Sequence, residues 1–499
     1  MKHAMATQAA RVCALAALSL PFAGWATNGY FAHGYSVSQD AMGGAGTAMA
    51  EDALVAAINP ANIVWLGDRL DINFSDFAPL RGFTASPRGS GAGNGIFTID
   101  PGTQDSHRRR FYIPGVGYAH HIDDDSSWGI AMYGNGGLNT VYPGGTATFG
   151  QGVPLLQAQC EGSFGGGKKL SATDTFGLCG NGVATASVDL IQLFVVPTYA
   201  RKFGDSFAIG ISPIFAVQQF HALGLAAFAK FSNTPSNVSD NGYTRSFGGG
   251  FRVGAFFHPI RGVGIGASYQ SRLQMTKFKR YSGLFAQNGE FDIPQSWNAG
   301  ITFAPTHAQL LTFDFQRIYF HQVKSVGNDF NPNDFVNNCA FPRLFGSNAP
   351  SEACLGADSG PGFGWRNMSI YKFGYQFRYG DLKLRAGYSF ARQPIPSDQV
   401  LFNILAPGVI ERHITGGLAY QFTHALELEM AFAYMPDHKV TGKNPLSNSS
   451  ANLVQLLAGG VLPGPQPGTA NAFGPDPNDQ DITLHMHQYQ FTLGVGYRF

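Results

Sequence analysis

The final residues of the chain, HQYQFTLGVGYRF (487–499), alternate strictly between apolar and polar or glycine positions. A period of two predicts a β-strand with two chemically different faces. The same alternation recurs in YKFGYQFRY (371–379), DLKLRAGYSF (381–390) and ALELEMAFAYM (425–435), and again over 263–270. The repetition predicts an all-β chain. Whether the apolar face of each strand points inward or outward depends on the medium that surrounds the sheet.

The connections between these strands alternate in length. Short turns are predicted at 123–127, 203–206, 258–262, 304–308, 379–381 and 423–425. Longer links separate them, at about 85–107, 143–184, 222–243, 281–290, 324–364, 395–408 and 437–481. Fourteen strands of about ten residues, joined alternately by short turns and long loops, are typical of a bacterial outer-membrane barrel.

Composition and the aromatic strand ends favour a membrane barrel over a soluble β-sandwich, which also alternates. Charged residues make up only 13% of the chain and aromatic residues another 13%, whereas soluble domains carry about 25% charged residues. Only a closed barrel satisfies strand backbone groups in lipid. The prediction is a transmembrane, fourteen-stranded antiparallel β-barrel over residues 69–499, with its short turns in the periplasm.

The N-terminus predicts export. Lys2 and Arg11 precede an apolar stretch that ends in small residues at Gly24 and Ala26, so residues 1–26 are interpreted as a signal peptide; the alternative is a buried N-terminal helix. Cleavage removes Cys13 and leaves two local pairs. These are Cys160 with Cys179 and Cys339 with Cys354, and an oxidising compartment favours two disulfides.

Residues 27–68 are rich in glycine and alanine and mildly helical, and they include GGAGTAMAEDA (43–53) and the tripeptide Asn59-Pro60-Ala61. A second motif, GNGGLNTVY (134–142), closes the third predicted strand. With these motifs, the chain resembles the FadL-type (OmpP1/FadL/TodX) outer-membrane transporters of long-chain fatty acids and other hydrophobic compounds over essentially its whole mature length.

The resemblance implies that residues 27–68 form a small helical hatch that plugs the barrel lumen. It also implies an inward kink in the third strand and a lateral gap in the wall, at Gly134, Gly136, Gly137, Leu138 and Thr140. Glycine-rich strand segments independently favour a bend or bulge. A hydrophobic solute would enter an apolar pocket, displace the start of the hatch and leave sideways into the membrane. The implied protein is monomeric and needs no cofactor.

Two groups of lumen residues are candidates for ligand contact. The fourth predicted strand, VDLIQLFVVPTYA (188–200), is apolar on both faces, so Leu190, Phe194 and Val196 are predicted to line an apolar pocket or to pack on the hatch. Lys372 and Arg378 face inward by parity and are candidates to pair with a ligand carboxylate. Their alternative partners are lumen acids such as Glu427 and Glu429.

Apolar stretches in three outer loops, at 153–159, 222–231 and 452–462, predict either a landing site for hydrophobic ligands or loop-on-loop packing. The basic run HRRR (107–110) favours contact with lipopolysaccharide over nucleic acid. His485 and His487 alternate on a strand, which favours an interfacial position over a metal site. No ordered Ser/His/acid set indicates an enzyme.

Other functions remain open at this stage. A general diffusion porin would need a polar lumen, which the apolar fourth strand and the predicted hatch argue against. Aromatic hydrocarbons or alkanes are alternative substrates to fatty acids. A barrel enzyme or adhesin is a further class.

Overall fold

The computed structural model describes residues 28–87, 97–99, 101–143, 147–149, 163–164, 168–169, 185–344, 346–447 and 479–499. Several predictions concern residues outside these ranges. They are the signal peptide, the Cys160–Cys179 pair and the apolar loop stretches 153–159 and 452–462.

Fourteen antiparallel strands close into one barrel, which confirms the predicted fold class. Each strand pairs with its neighbour in sequence, and the first pairs with the last. In chain order β1 to β14 are Arg69–Ala85, Phe111–His121, Ser126–Tyr142, Ala186–Phe203, Phe207–Leu223, Thr244–Ile260, Val263–Gln270, Ser296–Thr306, Gln309–Ile318, Met368–Tyr379, Leu382–Ala391, Arg412–Gln421, Leu426–Lys443 and Asp481–Arg498.

The alternation read in the last strand sorts its side chains between the two sides of the barrel wall. Phe491 and Leu493 are exposed on the outer surface, whereas Gln490 and Thr492 are buried and face the lumen. The outer surface is apolar because it faces lipid, so this pattern is inverted relative to a soluble protein. The predicted short turns all join consecutive strands at one end of the barrel, and the long connections lie at the other end.

The long connections contain short helical turns and short strands. Within the described residues, no helix has the length and hydropathy of a membrane-crossing helix. The helical turns are Ala226–Phe231, Pro235–Asn237, Lys279–Tyr281, Ala286–Gly289, Phe320–Gln322, Lys324–Gly327, Pro332–Phe335, Val336–Ala340, Phe341–Leu344, Ser397–Gln399 and Val400–Asn403. The additional short strands are Phe97–Ile99, Gly102–Asp105, Ala147–Phe149, Ser163–Phe164, Lys168–Lys169 and Gln274–Met275.

The segment before β1 folds inside the barrel. It contains one α-helix, α1 (Val37–Ala41), and two 3₁₀ turns, Ala53–Ala57 and Pro60–Trp65. Ser36 caps α1 by accepting a hydrogen bond from the Gln39 backbone N–H, which satisfies one of the free donors of a helix start. Almost every residue from Asn28 to Val64 is buried, so much of the apolar core lies between this segment and the barrel wall. We call residues 28–68 the hatch.

Candidate functional site

The Asn-Pro-Ala tripeptide anchors the hatch to the barrel wall. The Asn59 side chain accepts a hydrogen bond from the Ala61 N–H at 3.1 Å and donates to the carbonyl of Ala255 in β6 at 3.0 Å. A Cβ atom on Gly254 would lie 2.0 Å from the Asn59 Oδ1 atom. Because only glycine leaves room there, the tripeptide can lie directly on the strand backbone.

Polar side chains from the wall hold the middle of the hatch. The Asp314 carboxylate in β9 accepts hydrogen bonds from the backbone N–H groups of Gly46 and Thr47, both at 2.8 Å. The Lys372 ammonium in β10 donates to the carbonyls of His33 at 3.2 Å and Gly44 at 2.9 Å. These charged groups therefore satisfy hatch backbone that would otherwise be buried without partners.

An ion-pair cluster, which we call the latch, joins the hatch to β11. The Glu51 carboxylate lies 2.8 Å from the Lys383 ammonium and 3.1 Å from the Arg385 guanidinium. Arg385 also pairs with Glu429 at 2.8 Å, and Lys383 with Glu427 at 3.0 Å. Burial acts to raise the pKa of Glu51, but Lys383 and Arg385 more than offset it and hold that pKa below its ordinary value.

We expect Glu51→Gln to loosen the hatch. The change leaves two buried cations short of one partner, and breaking a buried pair costs about 3–5 kcal/mol. Single-channel conductance in planar bilayers should therefore rise relative to the wild-type protein. Because the pKa of Glu51 is depressed, its stabilising effect is complete at neutral pH and is lost only as the pH falls below the usual carboxyl range.

The matched control for this variant is Glu352→Gln, which removes an acid in an outer loop far along the chain from the latch. It should conduct as the wild type does. Equal conductance of the Glu51→Gln and wild-type barrels would contradict a latch role.

The third strand bends where its sequence is richest in glycine. The β3–β4 pairing shifts register between Gly134 and Gly136, so Asn135 is an extra residue in β3. An extra residue of this kind is a β-bulge, which bends the strand that carries it. Asn135 is fully buried, and its side-chain amide donates to the Gln192 side chain at 2.9 Å.

The start of the hatch pairs with this bend. The Ala32 N–H donates to the Asn135 carbonyl at 2.9 Å, and the Gly137 N–H donates to the Tyr30 carbonyl at 3.0 Å. A Cβ atom on Gly136 would lie 1.8 Å from the Tyr30 carbonyl oxygen. The hatch N-terminus therefore acts as a short extra strand against β3, and glycine makes this close approach possible.

Beyond the bend, β3 leaves β2. The β2–β3 ladder runs from the His121–Ser127 pair to the Gly115–Tyr133 pair, whereas β3 stays paired with β4 as far as Tyr142. Near the end of β3 a different segment contacts it: the His107 N–H donates a hydrogen bond to the Val141 carbonyl. Between these two contacts no ladder pair joins β3 to β2 in the described residues, and we call this unpaired stretch of the wall the wall opening.

Apolar side chains line the inner side of the wall opening. Phe77 of β1 and Phe111 and Ile113 of β2 form a buried cluster with Ala32 of the hatch, and Tyr35 packs against it. The hatch thus covers the wall opening from the inside.

A separate apolar pocket lies among the outer loops. It contains about 820 Å³ of atom-free space, part of it open to solvent, and we call it the loop pocket. Leu225 and Phe228 come from the predicted apolar stretch 222–231, and Val188 comes from β4. Six phenylalanines contribute to its lining: Phe97, Phe220, Phe228, Phe285, Phe363 and Phe402.

A smaller cavity with about 230 Å³ of atom-free space, part of it open to solvent, lies beside β3, and we call it the inner cavity. Its lining includes Leu138 and Thr140 of β3 and Leu405 of the loop before β12. Leu405 also lines the loop pocket. The Thr140 hydroxyl donates to the Leu405 carbonyl and the Tyr142 hydroxyl donates to the Ile404 carbonyl, both at 2.8 Å. These bonds hold Ile404 and Leu405, which line the loop pocket, against β3.

The predicted apolar lumen residues face inward. Leu190, Phe194 and Val196 are all buried on β4, and β4 contacts both 3₁₀ turns of the hatch. None of the three lines the loop pocket. Their position therefore corresponds to packing on the hatch. The loop pocket begins at the preceding inward position of β4, Val188.

The two basic candidates for carboxylate contact lie elsewhere. Lys372 is occupied by hatch carbonyls, and Arg378 is exposed and lines, with Glu51, a cavity at the short-turn end of the barrel. Neither lines the loop pocket or the inner cavity. Parity places Lys372 correctly in the lumen, but the hatch occupies the space that a ligand would need.

The structure also contains a disulfide between Cys339 and Cys354, adjacent to the pocket residue Leu355.

Residues 177–474 match the family model of the outer membrane protein transport proteins (OMPP1/FadL/TodX), a span of more than half the chain. The chain belongs to this family. It is accordingly an outer-membrane β-barrel of a family that transports hydrophobic compounds. Comparison with curated protein sequences yields no significant match.

Solved structures share the fold of this FadL-type chain. The Pseudomonas putida toluene transporter TodX is 14% identical, with a TM-score of 0.57, over 94% of this chain and 99% of TodX. A Pseudomonas aeruginosa FadL homologue is 12% identical, with a TM-score of 0.58, over 94% of this chain and 100% of that one. The Ralstonia pickettii toluene transporter TbuX is 14% identical, with a TM-score of 0.55, over 94% and 99%.

Proposed function

We propose that the protein imports long-chain fatty acids or similar hydrophobic compounds passively across the outer membrane. The supporting observation is that three features adjoin one another. The loop pocket shares Leu405 with the inner cavity, and the inner cavity lies on the bent part of β3 that borders the wall opening. A hydrophobic solute entering from outside would pass through them in that order and leave sideways into the membrane.

The loop pocket supplies the driving force for capture. Burying one CH₂ group stabilises a complex by about 0.8 kcal/mol, so an acyl chain gains several times that amount on leaving water. After capture the ligand would not need to re-enter water, because the proposed exit through the wall opening leads into lipid. No energy source is needed when the outer leaflet receives the solute down its own partition gradient.

In this proposal residues 27–68 are a movable plug and residues 69–499 are the conducting barrel. The start of the hatch must leave β3 before a solute can use the wall opening, because Tyr30 and Ala32 are bonded there. The remaining anchors, Asp314, Lys372 and the latch, keep the rest of the plug in place. One barrel contains the complete route, so the proposed working unit is a monomer.

A second candidate substrate class is monoaromatic hydrocarbons. The six phenylalanines of the loop pocket present ring faces and edges to a bound ring, and aromatic pairs favour such contacts. Two of the structural neighbours are described as toluene transporters. Alkanes would use the same apolar surface.

The test is uptake by a bacterial strain that lacks its own hydrophobic transporters and expresses this protein. Radiolabelled oleate and toluene are offered separately, and an empty-vector strain provides the background. Import of either compound above background supports the proposal and identifies the preferred class. Import of neither, with free passage of a small sugar and high ion conductance, would instead favour a diffusion porin.

A further inference from the structure

A broad cleft lies on the outer surface of the barrel, at the end with the long connections. Residues of β9, β10, β11 and β13 and of the connections between these strands line it, and it contains about 1470 Å³ of atom-free space, part of it open to solvent. Tyr371 and Phe390 are cross-strand neighbours on the lipid-facing surface, and both line the cleft. We call this space the outer cleft. None of its strands borders the wall opening, which lies between β2 and β3.

Basic side chains follow directly after the last outward aromatic residues of these strands. Arg317 occupies the next outward position after Phe315 in β9, and Arg392 follows Phe390 by two positions, just past the end of β11. Arg412 is the first residue of β12 and the cross-strand neighbour of Phe390, so it also faces outward. Aromatic belts mark the interface between lipid and water. These arginines therefore lie at the level of the lipid headgroups.

The three outward arginines lack acidic partners. Arg317 donates a hydrogen bond to the Ser369 hydroxyl, and Arg392 and Arg412 are exposed. None of the three forms an ion pair with a carboxylate of the described residues. Each guanidinium offers five N–H donors in a fixed fork. All three therefore retain donors for a bound anion.

The outer cleft carries an excess of positive charge. Arg366 and Lys439 also line it, and each has an acid of its own: Asp329 at 2.9 Å and Asp437 at 3.6 Å, respectively. Among its described lining residues, Glu411 is the only carboxylate. The unpartnered arginines are thus not neutralised by the cleft itself.

A neighbouring cleft over β13, β14 and β1 is less suited to an anion. Arg81, Arg109 and Lys439 line it together with Asp105 and Asp437. Its positive and negative side chains therefore nearly balance.

The basic run 107–110, for which the sequence favours contact with lipopolysaccharide, is also partnered. Each of its arginines lies within ion-pair distance of an acid. The pairs are Arg108–Asp189 at 3.7 Å, Arg109–Asp105 at 3.9 Å and Arg110–Asp76 at 2.7 Å. Contact of this run with lipopolysaccharide stays a prediction, and unpartnered cations are concentrated in the outer cleft instead.

We propose that the outer cleft binds the phosphate groups of lipid A, the membrane anchor of lipopolysaccharide. Long connections of an outer-membrane barrel face outward, so the cleft lies in the leaflet that lipopolysaccharide forms. Guanidinium groups bind phosphate oxygens in a two-point arrangement. The acyl chains of the lipid then lie along Tyr371 and Phe390. This binding function is separate from import, because the cleft lies away from the wall opening.

The test measures lipid binding to the purified barrel in detergent by native mass spectrometry over a range of lipid concentrations. The probes are lipid A, the same lipid with its phosphates removed, and phosphatidylglycerol, an anionic phospholipid. EDTA is present so that no divalent cation links a phosphate to Glu411. Lipid A should bind at about one-tenth or less of the concentration that either other lipid needs, because only lipid A offers several phosphate contacts to the arginines.

A double variant locates the site. Arg317→Gln combined with Arg392→Gln should weaken lipid A binding about tenfold or more, since two guanidinium contacts are lost. Binding of the dephosphorylated lipid should stay within about twofold of the wild-type value, because it makes no phosphate contact. The matched control is Arg109→Gln combined with Arg110→Gln, which removes the same charge from the partnered run and should bind lipid A as the wild type does. Resistance to unfolding in detergent verifies that each barrel is folded.

Three results would overturn the proposal. Equal binding of lipid A and its dephosphorylated form would mean that only the acyl chains are held. Equal binding of phosphatidylglycerol and lipid A would mean that the surface accepts any anionic headgroup. Unchanged lipid A binding by the folded cleft variant, with or without a loss in the control variant, would place the site elsewhere. The assay contains no transported compound, so its outcome is independent of the proposed import function.

Discussion

Deletion of Asn135 is expected to reduce import of hydrophobic compounds to background while the barrel still folds. Asn135 is the extra residue at the register shift of β3. Its removal leaves Tyr133 inward, Gly134 outward and Gly136 inward, so the alternation of faces continues without interruption. A regular β3 could then pair with β2 above the Gly115–Tyr133 pair and close the wall opening.

The expected loss is about tenfold or more in uptake, which corresponds to a barrier higher by about 1.4 kcal/mol or more. Uptake of radiolabelled substrate measures it, and resistance of the folded barrel to unfolding in detergent verifies the fold. Asn135→Ala is the matched control, because it removes the side chain but keeps the extra residue and the carbonyl that accepts from Ala32. Full import by the deletion variant would exclude the wall opening as the exit.

Phe402→Asp is expected to impair capture in the loop pocket. Phe402 lines that pocket, and its ring centre lies 4.6 Å from that of Phe330 and 6.3 Å from that of Phe228. The substitution removes apolar surface worth about 1.5–3 kcal/mol and places a charge where an acyl chain or an aromatic ring would bind. The substrate concentration that gives half-maximal uptake should therefore rise about tenfold or more.

Two further variants make this result specific. Phe402→Leu keeps an apolar side chain and should change the half-maximal concentration only slightly. Phe341→Asp places the same charge on a half-buried outer-loop phenylalanine that does not line the loop pocket, and it should import normally. If Phe402→Asp took up substrate with wild-type concentration dependence, capture would have to occur elsewhere.

The strands and turns of this fold could be predicted because their signals are local. Alternation in 487–499 depends only on neighbouring residues and on the pleat of a strand. The same parity correctly places Lys372 in the lumen. What Lys372 meets there could not be predicted, because its partners, the carbonyls of His33 and Gly44, lie more than three hundred residues earlier in the chain.

The site itself was only partly visible in the sequence. GNGG indicated a bend in β3, but it did not indicate that Asn135 is the extra residue. The three predicted apolar loop stretches do not include LFNIL (401–405), which contains Phe402 and Leu405 and is as apolar as they are.

The pairing of β1 with β14 has a consequence for how the molecule is made. This seam joins residues from opposite ends of the chain, from Arg69 with Arg498 to Ala85 with Ile482. Contacts between such distant residues form late and slowly during folding. The hatch immediately precedes β1, and the barrel wall surrounds it once the seam forms. We therefore expect barrel closure and capture of the plug to be a single step in biogenesis, so that a hatch unable to dock would delay insertion as well as transport.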